Sequence, residues 1–169
     1  EVIAQFTPDE APPEPYLRYS EQRDMTFRIT VAEGATSWQI WEGLRLAEFL
    51  SGDPGEVPRE GWLAPDTYTV TRGADRQTLL AEMERRQERI LADLWESRVD
   101  GLPYATPEEA LIMASIVEKE TGMADERRQV ASVFVNRLRI PMRLQTDPTV
   151  IYGITQGRGT LGRGLRYLA

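Results

Sequence analysis

Glu118 is the residue on which chemistry in this chain can be built. It follows the run Ala110, Leu111, Ile112, Met113, Ala114, Ile116 and Val117, which only Ser115 interrupts. A carboxyl placed there is either partnered or desolvated, and desolvation favours its protonated form. A carboxylic acid kept protonated near neutral pH can serve as a general acid. The competing reading is an ordinary solvated or ion-paired glutamate at a helix end. Glu120, Glu126 and Asp147 are further carboxylates nearby in the chain. Most glycosidases use two, one as acid and one as nucleophile or base. The sequence gives no distance between Glu118 and Asp147, so no pair is asserted. One carboxyl is enough when the substrate supplies its own nucleophile. A metal site made of these groups alone would suit magnesium or calcium. The apolar run before Glu118 favours a neutral acid over a ligand for a hard cation, so neither metal nor cofactor is expected.

The residue types that are missing narrow the chemistry further. There is no histidine and no cysteine. Ser-His-Asp and Cys-His catalysis, histidine zinc sites, thiolate nucleophiles, disulfides and iron–sulfur clusters are thereby excluded. Lys119 is the single lysine among 20 basic residues, so any Schiff base would have to form there. A net charge of −7 and a pI of about 4.8 argue against general nucleic-acid binding, which needs a basic stripe. No phosphate-loop or dinucleotide glycine pattern occurs. No apolar run approaches the roughly twenty residues that span a bilayer.

The elements that must position Glu118 read as an α+β chain: a mainly helical core with small strands. With 169 residues and 41% hydrophobic residues, one domain, or one plus a smaller piece, is expected. Residues 1–25, with Pro8, Pro12, Pro13 and Pro15, read as an extended connector in which Val2–Phe6 is a candidate strand. Alternation of Phe27, Ile29 and Val31 against Arg28 and Thr30 predicts a half-buried strand. Glu33-Gly34 turns the chain. Thr36 with Gln39 forms a capping box for a helix carrying Trp38, Ile40, Trp41, Leu44 and Ala47. Core packing is the favoured role for Trp38 and Trp41 over a sugar platform.

Residues 51–66 read as a loop, followed by a short strand about Tyr68 and Val70. Asp75 caps a long helix to about Ser97, with Leu79, Leu80, Met83, Ile90, Leu91, Leu94 and Trp95 as its buried stripe. Thr106 with Glu109 is a second capping box, with Pro107 in the first turn, where proline is tolerated. The helix it opens carries Glu118 in its last third. Being apolar nearly all round, it is expected to be buried. Gly122 is the expected stop. A further helix from about Asp125 to Leu138 turns Val130, Ala131, Val133, Phe134 and Leu138 to one face. Leu144–Tyr152 reads as a loop closed by Pro148 and Gly153, either a ligand wall or a rigid surface turn. The glycine- and arginine-rich tail from Gly153 reads as mobile.

The blocks ASIVEKET, ER, VASVFVNRL and MRLQTDPTVIYG, at residues 114–153, resemble the endolytic murein transglycosylase (YceG-like) family, as does EGWLAPDTY at 60–68. The match is dense over about residues 60–157. Residues 26–50 are more weakly similar to the region joining that family's LysM-like subdomain to its catalytic core. The resemblance implies residues 1–50 as the end of a LysM-like subdomain with its connector, and 51–169 as the catalytic part. It also implies an inner-membrane anchor and work on the periplasmic side. The activity implied is internal cleavage of nascent peptidoglycan strands at the β-1,4 bond after N-acetylmuramic acid, leaving a 1,6-anhydro end. The catalytic glutamate of the family falls on Glu118. The family's membrane helix and its later TPYNTY-type block have no counterpart here, so a truncated catalytic part with an incomplete cleft is expected.

Within that reading, Asn136, Gln145, Thr146, Asp147 and Tyr152 are the candidates for holding sugar hydroxyls and N-acetyl groups, or for orienting Glu118. The alternatives are bracing of the loop backbone, a turn role for Asp147 before Pro148, and simple packing for Tyr152. Glu120 and Glu126 are expected to pair with Lys119 or with an arginine such as Arg127 or Arg137. The partners implied are glycan strands and cell-wall synthases. A non-catalytic glycan-binding or scaffold module of cell-wall assembly is the competing function. The label aminodeoxychorismate lyase, which related sequences have carried, would require pyridoxal phosphate on Lys119, and the sequence shows no phosphate cup for it.

Overall fold

A computed structural model describes residues 25–159, together with residues 11, 13, 14, 16 and 17. The expected strand at Val2–Phe6 and the end of the tail, residues 160–169, lie outside the described residues. In the connector, the Leu17 N–H donates to the Pro13 carbonyl at 3.2 Å, which is a turn of helix rather than extended chain.

The α+β class is borne out. Strands β1 (Thr26–Thr30) and β2 (Thr67–Thr71) form an antiparallel two-stranded sheet in which Phe27 faces Val70 and Ile29 faces Tyr68. Period-2 alternation turns Phe27 and Ile29 inward, and Phe27 stacks on Phe49 with ring centroids 4.2 Å apart. Two strands do not hold together alone in water. Helices α1 (Ser37–Leu46) and α2 (Arg76–Glu96) complete the layer.

Both helix starts follow from the sequence. The Thr36 hydroxyl accepts from the Gln39 N–H, and the Gln39 side chain accepts from the Thr36 N–H at 2.9 Å. Asp75 accepts from the Thr78 N–H at 2.8 Å. Next to that cap, the Arg76 guanidinium donates to the carbonyls of Leu44 and Ala47, each at 2.7 Å. These carbonyls lie at the end of α1, where each also accepts one backbone N–H, from Ala47 and from Leu50. The start of α2 is thereby tied to the end of α1.

A first core gathers Val31, Leu44, Leu50, Leu63, Tyr68, Leu79, Leu80 and Met83. It draws on both sides of residue 50. Trp41 packs against it and donates to the Gly55 carbonyl at 3.0 Å, as its packing role required. Trp38 is only half-buried and stands outside the cluster. The stripe expected on α2 holds for Leu79, Leu80, Met83 and Leu91, but Ile90 and Leu94 are exposed. A 21-residue helix is about 31 Å long, whereas a five-residue strand covers only about 17 Å. The second half of α2 outruns the sheet it packs on.

The second core is smaller: Met113, Ile116, Val117 and Phe134, with Tyr104, Val130, Ala131 and Leu144 packed around them. It lies between α3 (Pro107–Glu120) and α4 (Arg127–Arg139), and α3 also touches α2 and α5 (Asp147–Thr155). Thr106 caps α3 by accepting from the Glu109 N–H at 3.2 Å. The return half of the expected box is displaced by one residue, because Glu109 accepts from the Ala105 N–H instead.

Several expectations are corrected here. Helix α3 is not buried all round: Ile112 is 61% exposed, because the neighbouring helices cover one side only. Val133 and Leu138 on α4 are exposed for the same reason. Gly122 is not the stop of α3. Thr121 ends it with extended backbone, and its hydroxyl donates to Glu126 at 2.7 Å. Leu144–Tyr152 is not a loop, since Asp147–Thr155 is helical. Thr146 stands at its N-cap, Pro148 falls in the first turn and Asp147 suits the positive end of the helix dipole. The tail is also more ordered than expected up to residue 159, with Gly157 buried.

Candidate active site

Glu118 sits in the last turn of α3, at the seam between the two cores. Its side chain is 28% exposed, and a carboxylate oxygen lies 3.1 Å from Nη2 of Arg127, the first residue of α4. The same Nη2 donates to Glu33 at 3.1 Å. Glu33 belongs to the turn between β1 and α1, so one guanidinium joins the two cores through two carboxylates. Of the two fates open to a carboxyl after an apolar run, the structure shows the partnered one.

Gly34 explains how the turn comes so close. Its φ is +73°, which side-chain-bearing residues rarely adopt, and a Cβ there would sit 3.5 Å from Glu118 Cγ and 3.6 Å from Lys119 Nζ. Glu118 and Lys119 therefore border the same glycine. Their positions about 100° apart on the helix do not separate them at this turn, because the lysine stem is long.

The other predicted residues are distributed more widely. Thr146 is buried, and its hydroxyl donates to Glu120. That bond ties the start of α5 to the end of α3, two residues from Glu118. Gln145 is exposed and borders an open groove of about 320 Å³ that also has Glu120, Glu126, Phe134 and Arg137 in its walls. Asp147 is exposed in the first turn of α5. Asn136 is exposed on α4, where its carbonyl accepts from the Ile140 N–H at 3.3 Å. Tyr152 lies on α5, 39% exposed, and burial followed by the negative Glu60 raises its hydroxyl above the ordinary tyrosine range. Among the described residues, no ion pair or hydrogen bond of Glu118 goes to any of these five. The structure gathers Gln145 and Thr146 around Glu120, and gathers Glu33 and Arg127 around Glu118.

Glu120 and Glu126 do not take the ion pairs expected of them. Their partners are the hydroxyls of Thr146 and Thr121. Arg127 is turned to Glu118 and Glu33, and Arg137 donates to the Leu144 carbonyl. The sequence placed Glu33 in a turn but gave no sign that it meets Arg127. It lies 94 positions from Arg127, and no local spacing could announce that pairing.

Glu60 is a second such residue. It accepts from the Ser37 N–H at 3.1 Å, beside the Ser37 hydroxyl that donates to the Arg59 carbonyl at 2.8 Å. These bonds fix the 59–60 segment to the start of α1, and Gly157 at the end of α5 rests on the same place. Helix α5 is thus held at both ends, by Glu120 and by the Thr36–Glu60 corner.

A two-core α+β chain with one half-buried carboxyl held at the seam defines the architecture and the candidate centre. The chain belongs to the YceG-like family, which it matches over residues 8–166. It is 33% identical over 106 residues to an endolytic murein transglycosylase of Streptococcus pneumoniae (strain ATCC BAA-255 / R6), covering 63% of this chain and 18% of that protein. It is 36% identical over 98 residues to an endolytic murein transglycosylase of Bacillus subtilis (strain 168), covering 56% of this chain and 26% of that protein. The chain therefore spans about a fifth to a quarter of the length of these relatives.

Proposed function

We propose that this chain is part of the catalytic region of a peptidoglycan lytic transglycosylase, with Glu118 as its single general acid and base. The observation that carries the reading is the half-buried Glu118 carboxyl, held at the seam of a chain of the YceG-like family. The names of its relatives supply the substrate class.

In this reading, protonated Glu118 gives its proton to the glycosidic oxygen leaving N-acetylmuramic acid. Positive, oxocarbenium-like charge develops at the anomeric carbon. Glu118, now a carboxylate, takes the proton of that sugar's own C6 hydroxyl, whose oxygen closes the 1,6-anhydro ring. One side chain acts in both directions, so no second catalytic carboxylate is needed. The internal hydroxyl competes with water through position, as an intramolecular nucleophile of high effective concentration. Arg127 faces the carboxylate that proton donation leaves behind.

Gln145, Thr146, Asp147, Asn136 and Tyr152 remain the proposed contacts for the glycan. The groove beside Gln145 supports a contact for that residue. The buried Thr146 supports an indirect role, holding α5 to α3. The reading also places the whole protein at the periplasmic face of the inner membrane, acting on nascent strands near cell-wall synthases. A LysM-like piece ending near residue 50 would be continuous with the rest through the β1–β2 pairing.

The test is Glu118→Gln in the full-length protein, with the muropeptides released from glycan strands read by mass spectrometry. Loss of anhydro ends with the fold intact is expected. Normal yield from the mutant removes the proposal. Glycan binding with no anhydro ends from the wild type would favour the binding-module alternative.

A further inference from the structure

Arg127 does more than pair with one acid. Its Nη2 lies 3.1 Å from Glu118 and 3.1 Å from Glu33, so two carboxylates share one nitrogen. Its Nε is buried and makes no hydrogen bond. Nη2 and Nε form one side of the guanidinium fork, the side that grips a carboxylate with two parallel bonds. Here that grip is not used.

The placement of Arg127 is fixed from behind. Glu126, its neighbour, accepts from the Thr121 hydroxyl at 2.7 Å, and the Thr121 oxygen accepts from the Met123 N–H at 3.1 Å. The end of α3 and the start of α4 are thereby locked together, with Glu118 on one and Arg127 on the other.

We propose that Arg127 is a positioning residue for the Glu118 carboxyl, and that Glu33 sets how tightly Arg127 holds it. The inference rests on the reading that Glu118 carries the chemistry. Arg127 from α4 is the charge that meets Glu118 directly, Glu33 from the turn after β1 meets the same Arg127 nitrogen, and Lys119 borders the same Gly34. Glu120 and Glu126 are engaged with Thr146 and Thr121, and among the described residues α2 and α5 contribute no ion pair to Glu118. Arg127 fixes where the Glu118 carboxyl points. Glu33 draws on the same nitrogen and limits that hold. Without Glu33, the Glu118 carboxylate is free to take the Nη2–Nε grip.

Arg127→Gln loosens the carboxyl and lowers kcat by roughly 100-fold with KM little changed. Arg127→Lys keeps the charge without the fork and recovers only part of kcat. Glu33→Gln leaves Arg127 to Glu118 alone and changes kcat far less than Arg127→Gln does.

The experiment is kcat and KM for the full-length protein on glycan strands, with these three variants and the melting temperature of each. A fall in kcat for Arg127→Gln at unchanged KM, with partial recovery in Arg127→Lys, is expected. Unchanged kcat in Arg127→Gln, a loss carried by KM, or full recovery by the lysine overturns the inference. Should Arg127→Gln fail to fold, Arg127→Lys decides it, since wild-type kcat in that variant overturns the inference. Failure of the underlying reading looks different, because Glu118→Gln would then release normal product whatever these variants show.

Discussion

The Thr36 hydroxyl donates to the Gly157 carbonyl at 2.8 Å, joining residues 121 positions apart. The same oxygen accepts from the Gln39 N–H and caps α1. One side chain thus begins the first helix of the first core and receives the end of α5. Gly157 has φ +74°, and a Cβ there would lie 3.0 Å from Glu60 Oε2 and 3.1 Å from Thr36 Cβ. Gly157→Ala should therefore cost about 1–3 kcal/mol, through the backbone strain and the crowding together. Thr36→Val removes the cap and the latch at once and should cost about 1–2 kcal/mol. Urea unfolding of each variant checks both numbers. A double mutant less destabilised than the sum of the singles would show that the two positions act on one contact.

Asp75 should make stability depend on acid. The Thr78 N–H, and next the Thr78 hydroxyl, hold its carboxyl below the usual aspartate range. The folded-state pKa is the lower one, so the contribution is present above the unfolded aspartate value of about 3.9. It is lost as pH falls through the folded value. Asp75→Ala should melt below the wild type at neutral pH, and the gap should narrow on acidification below about pH 4. Melting curves across pH 2–7 measure this, and a gap that stays constant would rule it out.

Tyr68 should act at the other end of the scale. It is buried, its hydroxyl donates to the Ala64 carbonyl at 2.8 Å, and burial holds it above the ordinary tyrosine range. Its folded pKa is raised, so the stabilisation is complete below the unfolded value of about 10 and is lost as pH rises through the folded value. Tyr68→Phe leaves the fully buried Ala64 without that donor and should cost about 1–3 kcal/mol at neutral pH. The difference from wild type should shrink above about pH 10, as measured by alkaline denaturation.

Each of the two cores has one side chain that tests it. Met83 is 0% exposed in the first and Phe134 is 4% exposed in the second. Met83→Ala should cost about 2–5 kcal/mol and Phe134→Ala about 3–5 kcal/mol. Far-ultraviolet circular dichroism during denaturation reads both. A phenylalanine variant near wild-type stability would show that the second core contributes little.

Local chemistry carried most of the fold into view. Capping at Thr36, Asp75 and Thr106 placed three helix starts, because a cap needs only residues within one turn. Alternation placed β1, because the strand period is a property of neighbouring residues. The helix at Asp147–Thr155 was also within reach through Thr146, Asp147 and Pro148, which are start signals. Gly153 and the β-branched Val150 and Ile151 are weak helix formers, and contact with α3 offsets that.

The sequence by itself determined where β1, α1, α2 and α3 begin, that histidine and cysteine chemistry is excluded, and that Glu118 follows the apolar run of α3. Those facts rest on residue type and on spacing of a few positions. Only the tertiary structure decided which residue Glu118 meets. It also decided which faces stay open, leaving Ile90, Leu94 and Ile112 exposed on helices whose periodicity looked buried. Burial depends on what packs opposite, and the Arg127 bridge depends on a turn folded back from 94 positions away. Neither is written in the period of a single segment.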